Sequence, residues 1–78
     1  MANHIEHRIV QFTEPDGSTI LVVHEVYFTG SKPHSFSVNP SKIMGDDTDE
    51  IAEVAKAVSV GLLKPVLIWD ETTKSFKS

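Results

Sequence analysis

No cysteine occurs in these 78 residues, which removes disulfides, thiolate catalysis and thiolate-bound zinc from consideration. That absence fits a reducing compartment. Clustered positive charge is missing as well: Arg8, Lys32, Lys42, Lys56, Lys64, Lys74 and Lys77 are scattered, the net charge is -4 and the pI is near 5.4. A phosphate backbone is therefore not the expected partner, because that affinity comes from grouped Lys and Arg. No apolar run approaches the roughly 18 residues of a membrane span. Met1 to Val10 carries His, Glu and Arg where a signal peptide would have its apolar segment. A cytoplasmic location, with neither membrane nor nucleic acid as partner, is the expectation.

Chemistry-bearing patterns are equally scarce. Gly30, Gly45 and Gly61 stand alone, so no glycine-rich phosphate cradle is present, and no serine lies in a G-x-S-x-G turn. Asp46, Asp47, Asp49 and Glu50 lack the spacing of a calcium loop and read as a helix start. His4 and His7 form H-x-x-H, but residues three apart on a strand point to opposite faces and do not chelate together. His24-Glu25 lacks the second histidine of H-E-x-x-H, since Phe28 stands there. No catalytic residue, cofactor or metal is expected.

What is present is an unusual strand. From Thr19 to Phe28, Ile20, Val22, Val26 and Phe28 alternate with Leu21, Val23 and Tyr27, so both faces are apolar where a half-solvated strand needs one. Before it, Ile5 to Thr13 reads as a first strand. Glu14-Pro15-Asp16-Gly17 is a compact turn, with Pro15 presetting φ and Gly17 suited to the left-handed position. If Glu14 faces Ser18, then Phe12 opposes Ile20, Val10 opposes Val22, Arg8 opposes His24 and Glu6 opposes Val26. A second turn at Thr29 to Pro33 returns the chain as His34, Phe36 and Val38, which Asn39-Pro40 terminates.

Asp47 is a suitable N-cap with Glu50 three residues on, so a helix is predicted from Thr48, with Ile51, Val54, Ala55, Val58 and Leu62 as its apolar stripe. Gly61 and Lys64-Pro65 should close it, and Val66 to Trp69 reads as a buried strand. The fold class is α+β: one domain over residues 1–78, ordered β-β-β-α-β, a three-stranded antiparallel meander plus a fourth strand after one helix packed on one sheet face. Residues 70–78 form either a weak extra strand or a frayed tail.

The helix is expected to cover Phe12, Ile20, Val22, Val26, Phe28, Phe36 and Val38. The opposite face would then hold Ile9, Leu21, Val23, Glu25 and Tyr27 as interface candidates, an apolar centre with a polar edge. The alternative cover for that face is the tail, through Trp69 or Phe76. A non-enzymatic module that binds a protein partner or forms a homodimer follows. The rivals are a small metal-dependent or His/Glu enzyme or accessory protein using His7, His24 and Glu25, and an acidic decoy for a basic protein surface using Asp46, Asp47, Asp49, Glu50 and Glu53.

The string His24-Glu25-Val26-Tyr27-Phe28, followed by Lys32-Pro33, Asn39-Pro40, an acidic helix and Lys64-Pro65-Val66-Leu67, resembles a group of short bacterial and phage-borne proteins with no assigned activity. The resemblance spans about Arg8 to Leu67 and ends before the tail after Asp70. It implies a bacterial or phage origin and the β-β-β-α-β order, and it carries over no catalytic or binding residue.

Overall fold

A computed structural model describes residues 3–77. Strands β1 (Asn3–Thr13) and β2 (Thr19–Thr29) form a hairpin in the expected register: Phe12 faces Ile20, Val10 faces Val22, Arg8 faces His24 and Glu6 faces Val26. The turn sets that register. Glu14 N–H donates to the Ser18 carbonyl at 2.7 Å, Gly17 N–H donates to the Glu14 carbonyl at 2.9 Å, and Gly17 takes φ +90°.

Strand β3 (Lys32–Phe36) follows a tight turn through Gly30, at φ 63°, and pairs antiparallel with the far end of β2. An irregularity between Tyr27 and Phe28 leaves His34 without an opposite residue, so the expected alternation through His34 and Val38 is not kept. Val38 lies outside the strand and is 95% exposed. Helix α1 (Thr48–Leu62) begins as predicted. Asp47 accepts the Glu50 N–H at 2.8 Å, and Glu50 reaches back to the Asp46 N–H at 2.7 Å. Strand β4 (Leu67–Asp70) then runs parallel to β1, and β5 (Ser75–Phe76) pairs antiparallel with β4, so the tail does form a short strand. The sheet order is β3-β2-β1-β4-β5.

The two sheet faces take covers other than those expected. The helix lies on the face of Ile5, His7 and Glu25, where Val54 shares a cleft with His7 and Glu25, and Ala57 and Gly61 adjoin Ile5 and His7. The face of Val10, Phe12, Val26, Phe28 and Phe36 is instead closed by the sheet itself. Phe36 in β3 meets Trp69 of β4 at 4.8 Å between centroids and Phe76 of β5 at 6.0 Å, so the two outer edges of the sheet curl together. Phe12 adds an edge-to-face contact with Phe36 at 5.3 Å. Trp69 and Phe76 thus cover the first face and leave the second alone.

Inside this curl Val10 and Val26 are fully buried, each stabilising by about 1.5–3 kcal/mol on transfer from water. Arg8 and His24, opposite each other in the hairpin, are buried beside them. The helix buries less than its stripe suggested: Val58 is buried, Val54 and Ala55 are half-buried, and Ile51 and Leu62 are exposed. Val66 and Ile68 are exposed too, so the run Val66 to Trp69 is not a fully buried strand.

Gly61 does not end the helix. It lies within it, where a Cβ would fall 1.6 Å from the His7 carbonyl oxygen, and Leu63 is the C-cap. The helix can approach β1 this closely only because that carbon is missing. Alanine for glycine inside a helix ordinarily stabilises by about 1 kcal/mol. At Gly61 the sign should reverse, with Gly61→Ala costing about 1–3 kcal/mol through displacement of the helix, as read from the midpoint of urea unfolding.

Candidate functional site

The sheet brings His7 and Glu25 directly opposite each other in adjacent strands. After β3 the chain turns back along the outer edge of β2. Ser37 N–H donates to the Glu25 carbonyl and Ser41 N–H to the Val23 carbonyl, both at 2.8 Å. Side chains fasten the same loop. His7 Nδ1 is hydrogen-bonded to Ser41 Oγ at 2.9 Å, and His24 Nδ1 to Ser37 Oγ at 3.2 Å. Ser37 donates its hydroxyl proton to the Asn39 carbonyl at 2.5 Å, which leaves its oxygen lone pairs for His24.

Around the first of these pairs lies an open cleft of about 510 Å³, lined by His7, Glu25 and Ser41 and by Val38, Met44 and Val54 among others. His24 is not part of it. It lies on the other face, edge-on to Phe12 at 5.5 Å and Phe36 at 5.0 Å, so the trio His7, His24 and Glu25 does not converge. His4 and His7 also part company as expected, His4 stacking on Phe28 at 5.1 Å on the aromatic side. Among the described residues no group of three His, Cys, Asp or Glu side chains is placed to hold a metal ion.

The five interface candidates fall into three settings. Glu25 belongs to the cleft, and Tyr27 lines a separate hollow of about 330 Å³ with Ile5, His4 and His34. Ile9 and Val23, opposite each other, are half-buried. Leu21 is 58% exposed. Its row continues through Gln11 to Ile68, itself exposed, so two apolar side chains flank one amide at the end of the sheet that the helix does not reach. Ser37 and Ser41 escaped sequence reasoning as partners of histidines. Their loop returns along β2 with no periodicity to betray it.

The basic residues are less dispersed in space than in sequence. Lys64 Nζ donates to Glu6 Oε1 at 2.9 Å, Arg8 Nη1 lies 3.4 Å from the same oxygen, and His4 Nε2 is 2.9 Å from Glu6 Oε2. Arg8 also donates to the Pro65 carbonyl at 2.6 Å and sits over the Phe28 ring at 5.5 Å, tying the helix-to-β4 connection to the sheet. At the helix start, Asp47 and Glu50 are occupied with capping, while Asp49 and Glu53 stay exposed on the rim of a shallow hollow. No described helix is long and apolar enough to cross a membrane. The chain matches no protein-family model, no curated protein and no solved structure to which it was compared.

The hydrogen bond from Lys64, aided by His4 and the charge of Arg8, holds the Glu6 carboxyl below its ordinary value of 4.5 against the opposing effect of burial. A depressed folded-state value means that the stabilisation is complete above pH 4.5 and lost as pH falls through the lowered value. Glu6→Gln should therefore be less stable than the parent at neutral pH by about 1 kcal/mol and converge with it in strong acid, which urea titrations at several pH values would measure.

Proposed function

We propose that this chain is a non-catalytic interaction module that associates with a second protein surface, its own copy first, through the end of the sheet bearing Leu21. The observation that carries this is a surplus of surface. The chain exposes 5620 Å², whereas a monomer of 8.6 kDa ordinarily exposes about 4,700 Å². The difference, about 900 Å², is close to the roughly 800 Å² that one partner contributes to a standard interface. Shape agrees with area. The radius of gyration is 13.5 Å, against about 11.5 Å for a compact chain of this length, and the molecule measures 40 × 34 × 21 Å.

Leu21, Val23 and Ile68 supply the apolar centre of that surface and Gln11, Thr13 and Thr19 its polar surround. Leu21→Lys should give a folded monomer, whereas Val26→Asp, which buries an unpaired charge, should unfold the chain, since several kcal/mol are lost from a stability of about 5 kcal/mol. Sedimentation and circular dichroism together separate the two. A wild-type chain that sediments as a monomer at every concentration and captures no partner through Leu21 refutes the proposal.

A second reading draws on the hydrogen bond between His7 and Ser41 beside Glu25: an accessory site for a small polar ligand, with Glu25 accepting its donors and His7 facing its acceptors. Titration of small amines and amides followed by NMR should then shift the His7 and Ser41 signals together. Unmoved signals at millimolar ligand dismiss it.

A further inference from the structure

Most exposed edges of this sheet are guarded. β3 carries Lys32 and Pro33 and an irregular pairing, while β5 is two residues long between Lys74 and Lys77. The outer edge of β1 is held by the helix, whose Gly61 abuts the His7 carbonyl, and by Arg8 gripping Pro65. One stretch lacks any such device. Thr19-Ile20-Leu21-Val22-Val23 has neither charge nor proline, and Ile20 and Leu21, on opposite faces, are 46% and 58% exposed.

The direction of its backbone groups follows from its neighbours. Val23 and Glu25 turn their carbonyls away from β1, toward Ser41 and Ser37. Alternation along an antiparallel strand places the N–H and C=O of Thr19 and Leu21 on that same outer side. Among the described residues no backbone group pairs with them there, because β3 reaches only from Val26 to Thr29 and the loop ends its contact at Val23.

Resting on the self-association proposed above, we infer that a second copy of this chain adds its own β2 to this edge, antiparallel and symmetric about Ile20. Thr19 of each copy then exchanges two hydrogen bonds with Leu21 of the other, four in all, and every outward backbone group of these two residues finds a partner. The register is specified. Thr19 and Leu21 each present a donor and an acceptor, whereas Val23 has already given its carbonyl to Ser41, and that contact blocks a slide along the strand. The two Ile20 side chains meet across the axis on one face, and the two Leu21 side chains extend the apolar row on the other. Such a contact is isologous and closes at two copies. The paired edge covers only part of the surplus of surface described above.

Sedimentation over a concentration series, combined with residue-resolved amide hydrogen exchange of the wild-type chain, tests this. The expected result is a dimer in which the Thr19 and Leu21 amides exchange at least tenfold more slowly at concentrations where the dimer dominates than at those where it has dissociated. The Leu21→Pro variant, lacking the outward N–H, should remain folded by circular dichroism and sediment as a monomer. A dimer whose Thr19 and Leu21 amides exchange equally fast at all concentrations overturns the edge pairing and leaves self-association standing. A folded Leu21→Pro variant that still dimerises does the same. A wild-type chain that is always monomeric overturns both. Growth beyond two copies overturns the closed symmetric contact, and if Leu21→Pro fails to fold, the wild-type exchange measurement decides.

Discussion

The meeting of Phe36 with Trp69 and Phe76 is the contact on which the rest of the molecule depends. Phe36 and Phe76 belong to the strands at opposite ends of the sheet order and Trp69 to the strand beside the last, and they touch only because the sheet twists and curls. Curling makes a concave face deep enough to bury Val10 and Val26 completely, and it shelters Arg8 and His24 beside them. With one face sealed in this way, the single helix is released to serve the other. A chain of 78 residues thereby covers both sides of a central hairpin with one helix and its own curvature, although it covers the second side only in part.

Local chemistry was readable in the amino-acid order, and long-range curvature was not. Pro15 and Gly17 specify a turn through their own backbone preferences, and the turn dictates every pair from Thr13–Thr19 down the hairpin. Asp47 and Glu50 likewise specify the helix start within four residues. Which face the helix would choose depends on aromatic contacts between residues 33 and 40 positions apart, and a count of apolar stripes contains no such information. Gly61 illustrates the limit. As a letter near the end of a helix it suggests termination; only the position of the His7 carbonyl reveals that its function is to be small.

The interface candidates divided along the same line. Leu21 was identifiable because apolar alternation on both faces of β2 signals more covering than one helix can provide, and it is the member left most open. Glu25 and Tyr27 shared its face by periodicity, yet the helix and the loop after β3 line a cleft with Glu25, while Tyr27 lies in a separate hollow formed by β1, β2 and β3. Periodicity assigns a side chain to a face. It does not say how far along that face a cover extends.

The loop from Ser37 to Ser41 is gripped from both sides of the sheet, by His24 on the aromatic side and by His7 on the helical side, while its backbone binds β2 between them. Like a clip folded over the hem of a cloth, it determines how much of that hem stays free. Two hydroxyl groups in an otherwise plain turn therefore help to set where the margin of β2 is covered and where, from Thr19 to Leu21, it stays bare.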